Sequence, residues 1–154
     1  MVYEICYIIF VYSCETWTLT SDLERRITAL ELRCYRRILN ISYKDRVTNA
    51  RVREIIQSAR GPHDDLLTTV KKRKLQWYGH LVRSSGLAKT ILQGTVNGSR
   101  KRGRQRRTWS DNISNWTGLS LAATLRIAED RTRWREVVRK SSVVPLRLSS
   151  YGRR

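Results

Sequence analysis

The sequence predicts a mainly α-helical chain: a short N-terminal strand, then about five to six helices in small bundles joined by a basic linker. Three observations carry this. Apolar residues recur at three- and four-residue spacing in successive stretches from Ser21 onward. Ser, Asp, Gly and Pro stand at the ends of those stretches, where helices start and stop. One continuous apolar run, "VYEICYIIFVYSC" from Val2 to Cys14, is dominated by Tyr, Ile, Val and Phe, which suits a buried strand.

After that run, Ser21-Asp22-Leu23-Glu24 has the S-x-x-E form of a capping box and opens a helix. Its apolar residues Leu23, Ile27, Leu30, Cys34 and Ile38 fall within one narrow arc at about 100° per residue. Arg25, Arg26, Arg33, Arg36 and Arg37 fall within an adjacent arc of roughly 120°, with Glu24 and Glu31 on the opposite flank. A shorter helix is expected from Asn49 to Ser58, with Val52, Ile55 and Ile56 inward, until Gly61-Pro62 breaks the chain. The next runs from about Asp65 to Val82, with Leu66, Val70, Trp77 and Leu81 sharing a face and Lys71, Lys72, Arg73 and Lys74 forming a basic turn. Ser84 to Ser99 reads as a loop with a short strand at "TILQGTV".

Beyond it, "SRKRGRQRRTW" (Ser99 to Trp109) carries Arg100, Lys101, Arg102, Arg104, Arg106 and Arg107 with no acid among them, and Gly103 opposes helix there. Trp109, Ile113 and Trp116 then have i, i+4, i+7 spacing, closed by Gly118. Ser120 can cap a helix with Leu121, Leu125 and Ala128 inward, and Asp130 one with Trp134, Val137 and Val138 inward. The expected divisions are residues 1–60 (strand plus first helices), 61–94 (Trp-containing helix and loop), 95–108 (basic linker), 109–140 (C-terminal helical module) and 141–154 (disordered tail).

Lys and Arg total 31 against 13 Asp and Glu in 154 residues, a net charge of +18, which asks for a polyanionic partner; nucleic acid leads and an anionic membrane surface comes second. Five Trp and seven Tyr within a 40% apolar composition exclude compositional disorder. The N-terminal run is too short to span a bilayer, and Glu4 with a missing basic leader argues against a signal peptide. An intracellular location, nuclear or cytoplasmic, is expected. Cys6, Cys14 and Cys34 have no metal-ligand spacing with His63 and His80, so reduced thiols and no metal or cofactor are expected. The sequons at Asn40, Asn97, Asn112 and Asn115 are read as chance.

Catalytic chemistry finds little support. Asp64-Asp65 is the one adjacent carboxylate pair, and its place between Gly61-Pro62 and a helical pattern fits an N-cap better than a metal site. His80 fits a structural role, and no nucleophile arrangement or phosphate-binding Gly loop is present.

Several phrases in order, "CETWTLT" (Cys14 to Thr20), "CYRRILNIS" (Cys34 to Ser42), "DRVTN" (Asp45 to Asn49), "RKLQWYGHLVR" (Arg73 to Arg83), "ILQGTVNGSRKRGRQRRTW" (Ile91 to Trp109) and "DRTRWREVV" (Asp130 to Val138), make the stretch from about Ser13 to Val138 resemble the C-terminal part of LINE-type, non-LTR retrotransposon reverse transcriptases. The resemblance implies the end of the polymerase thumb and a basic extension, lying after the catalytic palm. The family's palm motif, an aromatic residue followed closely by two aspartates, is absent, and Asp64-Asp65 in "GPHDDLL" does not replace it. The chain departs from the family at Ser13, usually Gly; at Ala50-Arg51, usually acids; and at Gln105, often Pro. Arg102-Gly103-Arg104 keeps the core of an AT-hook-like sequence without its proline.

The expected function is therefore non-catalytic nucleic-acid binding, contacting template or primer phosphates through the arginine arc, the basic turn and the linker. A polymerase portion upstream in the parent protein is the other expected partner. The alternatives are a non-functional remnant of a decayed element and a Trp-rich helical module that docks a protein.

Overall fold

In the computed structural model, the residues described are 7–8, 10–85, 87, 89–90 and 107–143. They form six α-helices: α1 Ser21–Ile38, α2 Asn49–Arg60, α3 Leu66–Arg83, α4 Trp109–Thr117, α5 Leu121–Glu129 and α6 Arg131–Val143, with short 3₁₀ turns at Cys14–Thr16 and Tyr43–Asp45. The chain is mainly helical, as expected. No strand occurs among the described residues. The N-terminal run is helical where it is described, at Tyr7, Ile8, Phe10 and Val11. An apolar run of this length reads equally as strand or helix. What decides is one-sided burial: Tyr7, Phe10, Val11 and Cys14, at helical spacing, pack on one cluster, while Ile8 and Tyr12 face out. Leu87, Lys89 and Thr90 are helical too, inside the expected loop. The expected strand "TILQGTV" starts at Thr90, which is helical, and its residues 91–96 lie outside the described residues, as does the tail beyond Val143; α6 continues through Ser141 to Val143.

Caps fix most boundaries. Asp65, Ser120 and Asp130 accept bonds from backbone N–H groups of the turns they open, as their positions predicted. Gly118 ends α4 in the left-handed region at φ 69°. Thr108 and Asp111 add a reciprocal capping box at the start of α4. For α1 the cap is Thr20, whose hydroxyl accepts from Leu23 N, and Ser21 is already helical. Glu24 is thereby freed from the predicted box. It pairs instead with Lys71 at 3.1 Å and accepts from Trp116 Nε1 at 3.1 Å.

α3 is the central element, packing against α1, α5, α6 and the first 3₁₀ turn. Buried side chains surround it: Leu66, Leu67, Val70, Leu75, Tyr78, Leu81 and Val82. One apolar cluster joins Val11, Cys14, Leu19 and Ile27 to its N-terminal half; a second joins Ile113, Ala128, Trp134 and Val138 to its C-terminal half; Trp116 packs against both. A third, Leu32, Tyr35, Val52 and Ile56, holds α2 to α1. The buried face of α1 is accordingly Ile27, Glu31, Leu32 and Tyr35, rotated from the predicted arc, and Leu23, Leu30 and Ile38 lie at the surface. That face packs through Ile27, Leu32 and Tyr35, and Glu31 goes in with them. Its carboxylate is buried at 2% exposure because Oε1 accepts from Leu66 N at 2.7 Å and from the Tyr35 hydroxyl at 3.0 Å, making Glu31 a cap for α3 from another helix.

Candidate nucleic-acid interface

The Schellman-type end of α1 shapes the basic surface. Asn40 takes φ 54°, Ile41 N donates to Arg36 O and Asn40 N to Arg37 O, so the chain turns back beside the helix that it has just left. The returning segment, Ile41 to Asn49, and the face of α1 from Arg25 to Arg37 border a groove of about 790 Å³. Arg25, Arg33, Arg36 and Arg37 line it, together with Leu32, Asn40, Ser42 and Asn49. Four of the five arginines singled out on the predicted arc thus share one concavity. Arg26 does not: it borders a neighbouring apolar hollow with Phe10, Trp17, Leu23 and Leu30.

Partners differentiate the four. Arg36 donates to Val47 O at 2.6 Å and to Asn49 Oδ1 at 3.0 Å, tying the returning segment to α1, so it holds the groove's shape. Arg25 pairs with Asp22 at 3.1 Å, both side chains largely exposed, an ion pair that water screens to little energy. No ion pair or hydrogen bond is made by the guanidinium groups of Arg33 and Arg37 among the described residues, and both are exposed. Among the described residues the groove therefore offers two uncommitted cations toward the end of α1 and a loosely committed one, Arg25, near its start, around a concave floor.

The second predicted patch, Lys71 to Lys74, is not gathered on a surface, because four consecutive helical residues point to different sides. Lys71 is paired with Glu24, Lys72 with Asp64, and Arg73 donates to Val11 O at 3.3 Å. Lys74 leaves the candidate set altogether. It is fully buried, donates to Trp17 O and Asn112 Oδ1, both at 2.7 Å, and lies over the rings of Trp109 at 4.6 Å and Trp116 at 5.4 Å. An ammonium tolerates such a place because two carbonyl-type oxygens and two ring faces stand in for water. In the third patch, Arg107 is exposed, and Arg100, Lys101, Arg102, Arg104 and Arg106 lie outside the described residues.

Burial, with the charge of Arg107 added, pushes the Lys74 ammonium down to about 7. An amine that ordinarily titrates near 10.5 then binds fewer protons folded than unfolded between those values, so its contribution makes stability rise with pH from about 7 upward. Chemical denaturation of the parent and Lys74→Met at pH 7 to 8.5 measures this. The parent should gain about 1 kcal/mol per pH unit relative to the variant; equal slopes would show Lys74 to titrate normally.

Other reactive groups are committed to structure. Asp65 caps α3 and Asp64 pairs with Lys72, as an N-cap reading of "GPHDDLL" expects. Burial first, then the charge of Glu15, pushes the Cys14 thiol up to about 11, which keeps it protonated at neutral pH. His63 lies between Tyr35 and Gly61 O. Among the described residues no group of three or more His, Cys, Asp or Glu could hold a metal ion, and no described helix is long and apolar enough to cross a membrane.

No family model matches the chain, and no solved structure matches it. A transposon-derived protein of Caenorhabditis elegans, itself uncharacterised, is 29% identical over 140 residues, covering 85% of this chain and 50% of the relative. The chain is thus similar to a transposon-derived protein and spans about half the length of that curated relative.

Proposed function

We propose that this chain is a nucleic-acid-binding segment derived from the C-terminal part of a LINE-type reverse transcriptase, gripping phosphates in the groove beside α1, with no catalytic centre of its own. The observation that carries the reading is the groove itself: Arg33 and Arg37 uncommitted, Arg25 in an exposed pair, and Arg36 fixing the wall. Cations held around a concave floor suit a phosphate backbone, which presents charge at regular intervals and sheds counterions when neutralised. The transposon-derived relative supports the origin, and the ordered phrases from Cys14 to Val138 support the finer assignment. The acid-free linker from Arg100 to Arg107 would extend the same contact, and an upstream polymerase portion would supply catalysis. Four of the five Trp side chains offer little to the reading as a protein-docking module, since Trp134 is buried and Trp17, Trp109 and Trp116 pack against the core clusters; Trp77 is half-buried and meets Trp109 edge-on.

Charge reversal tests the proposal. Arg33→Glu with Arg37→Glu should weaken binding to short RNA or DNA at least about tenfold, leaving helical content and thermal midpoint unchanged, because both side chains are exposed and neither is bonded to another described residue. Unchanged affinity would remove the groove from the binding surface.

A further inference from the structure

The loop that closes the groove carries an aromatic ring that makes no ring contact or hydrogen bond among the described residues. Tyr43 is 97% exposed. It opens the 3₁₀ turn Tyr43–Asp45, and that turn is held firmly: Ser42 N donates to Asp45 Oδ2 at 2.6 Å, the Ser42 hydroxyl accepts from Lys44 N, and Arg46 turns the chain away at φ 50°. The left-handed residues Asn40 and Arg46 bracket the turn and push it outward. Tyr43, Lys44, Arg46 and Val47 line a concavity of about 800 Å³ whose remaining wall is Arg36, the residue that also lines the phosphate groove. A solvent-facing ring on a capped turn therefore stands among cations at the end of the proposed phosphate track.

We propose that Tyr43 is a stacking platform for an unpaired nucleobase, so that the site takes single-stranded nucleic acid or the unpaired end of a duplex in preference to fully paired nucleic acid. An exposed ring gains by covering a face with another π-surface, and nearby cations hold the phosphates on either side of the stacked base. A paired, stacked base offers the ring no face, whereas a strand leaving the groove past Arg36 presents bases to it. The inference rests on the nucleic-acid reading above and adds the class of ligand.

Tyr43→Ala and Tyr43→Phe, made in the full chain, separate the two claims. Binding is measured to a short single strand, RNA and DNA in parallel, with 2-aminopurine as the reporting base, and to the corresponding duplex. Parent and Tyr43→Phe should quench the reporter. Tyr43→Ala should lose the quenching and bind single strands roughly five- to a hundredfold more weakly, the usual range for a base–aromatic stack. Its duplex affinity, salt dependence and thermal midpoint should match the parent's. Equal single-strand binding by parent and Tyr43→Ala, or an equal loss on duplex, would overturn the stacking role. Either result leaves the groove reading standing if Arg33→Glu with Arg37→Glu still weakens binding; absence of binding by the parent would overturn both.

Discussion

Asn112→Ala should destabilise the fold by about 2–5 kcal/mol, chiefly the cost of leaving two buried backbone groups unpaired. Asn112 is fully buried and pairs with both backbone groups of Leu19: Oδ1 accepts from Leu19 N at 2.9 Å, and Nδ2 donates to Leu19 O at 2.7 Å. The same Oδ1 accepts from Lys74 Nζ at 2.7 Å. One amide thus replaces a strand partner for the segment before α1, anchors α4 to it, and solvates a buried ammonium on α3. Alanine would orphan the Leu19 N–H and C=O and leave Lys74 with Trp17 O and two ring faces. A loss of this size is a large part of a small domain's stability. Urea unfolding checks it. Adding Lys74→Met to Asn112→Ala should cost less than it does alone, because the cation that needed Asn112 is gone; full additivity would show that the two side chains do not act together.

Gly79→Ala should cost roughly 1–3 kcal/mol, against the usual direction for that change in a helix. Alanine is ordinarily favoured over glycine there by about 1 kcal/mol. At this position a Cβ would overlap Cδ1 and Nε1 of the Trp134 indole, which lies across α3 and donates to Leu75 O at 2.8 Å. Glycine is what lets α6 approach so closely. The substitution forces the ring aside and stretches its hydrogen bond. In a Trp134→Leu background, itself destabilised, Gly79→Ala should become neutral or stabilising. Destabilisation of the same size in both backgrounds would locate the cost in the helix and not in the contact.

Much of the helical layout was legible because caps and periodicity are local. Asp65, Ser120, Asp130 and Gly118 act where their residue types and positions placed them. Two of the failures share one cause: they depend on partners far away in sequence. Glu31 reads as a solvated acid, yet it caps α3 at a separation of 35 residues, on a buried face of α1 that leaves Leu23, Leu30 and Ile38 at the surface. Lys74 reads as one of four exposed cations until Asn112 and the Trp109 and Trp116 rings, contributed by α4, enclose it. The N-terminal run carries no local mark separating strand from helix. For the candidate site, the arc of arginines on α1 could be read from spacing alone. Arg36's bonds to the returning loop, and the placing of Tyr43 beside it, arise from the turn at Asn40, which leaves only a weak signal as an Asn following a helix.

The central claim, that the groove beside α1 holds phosphates, is tested most directly by the slope of log affinity against log salt on duplex DNA, measured for the parent and for Arg33→Gln with Arg37→Gln. Each phosphate contact contributes about 0.9 to that slope, so the double variant should be shallower by roughly two units, with weaker binding at low salt and the same helical content. An identical slope and affinity in the two proteins would contradict the account and place the contacts elsewhere on the chain.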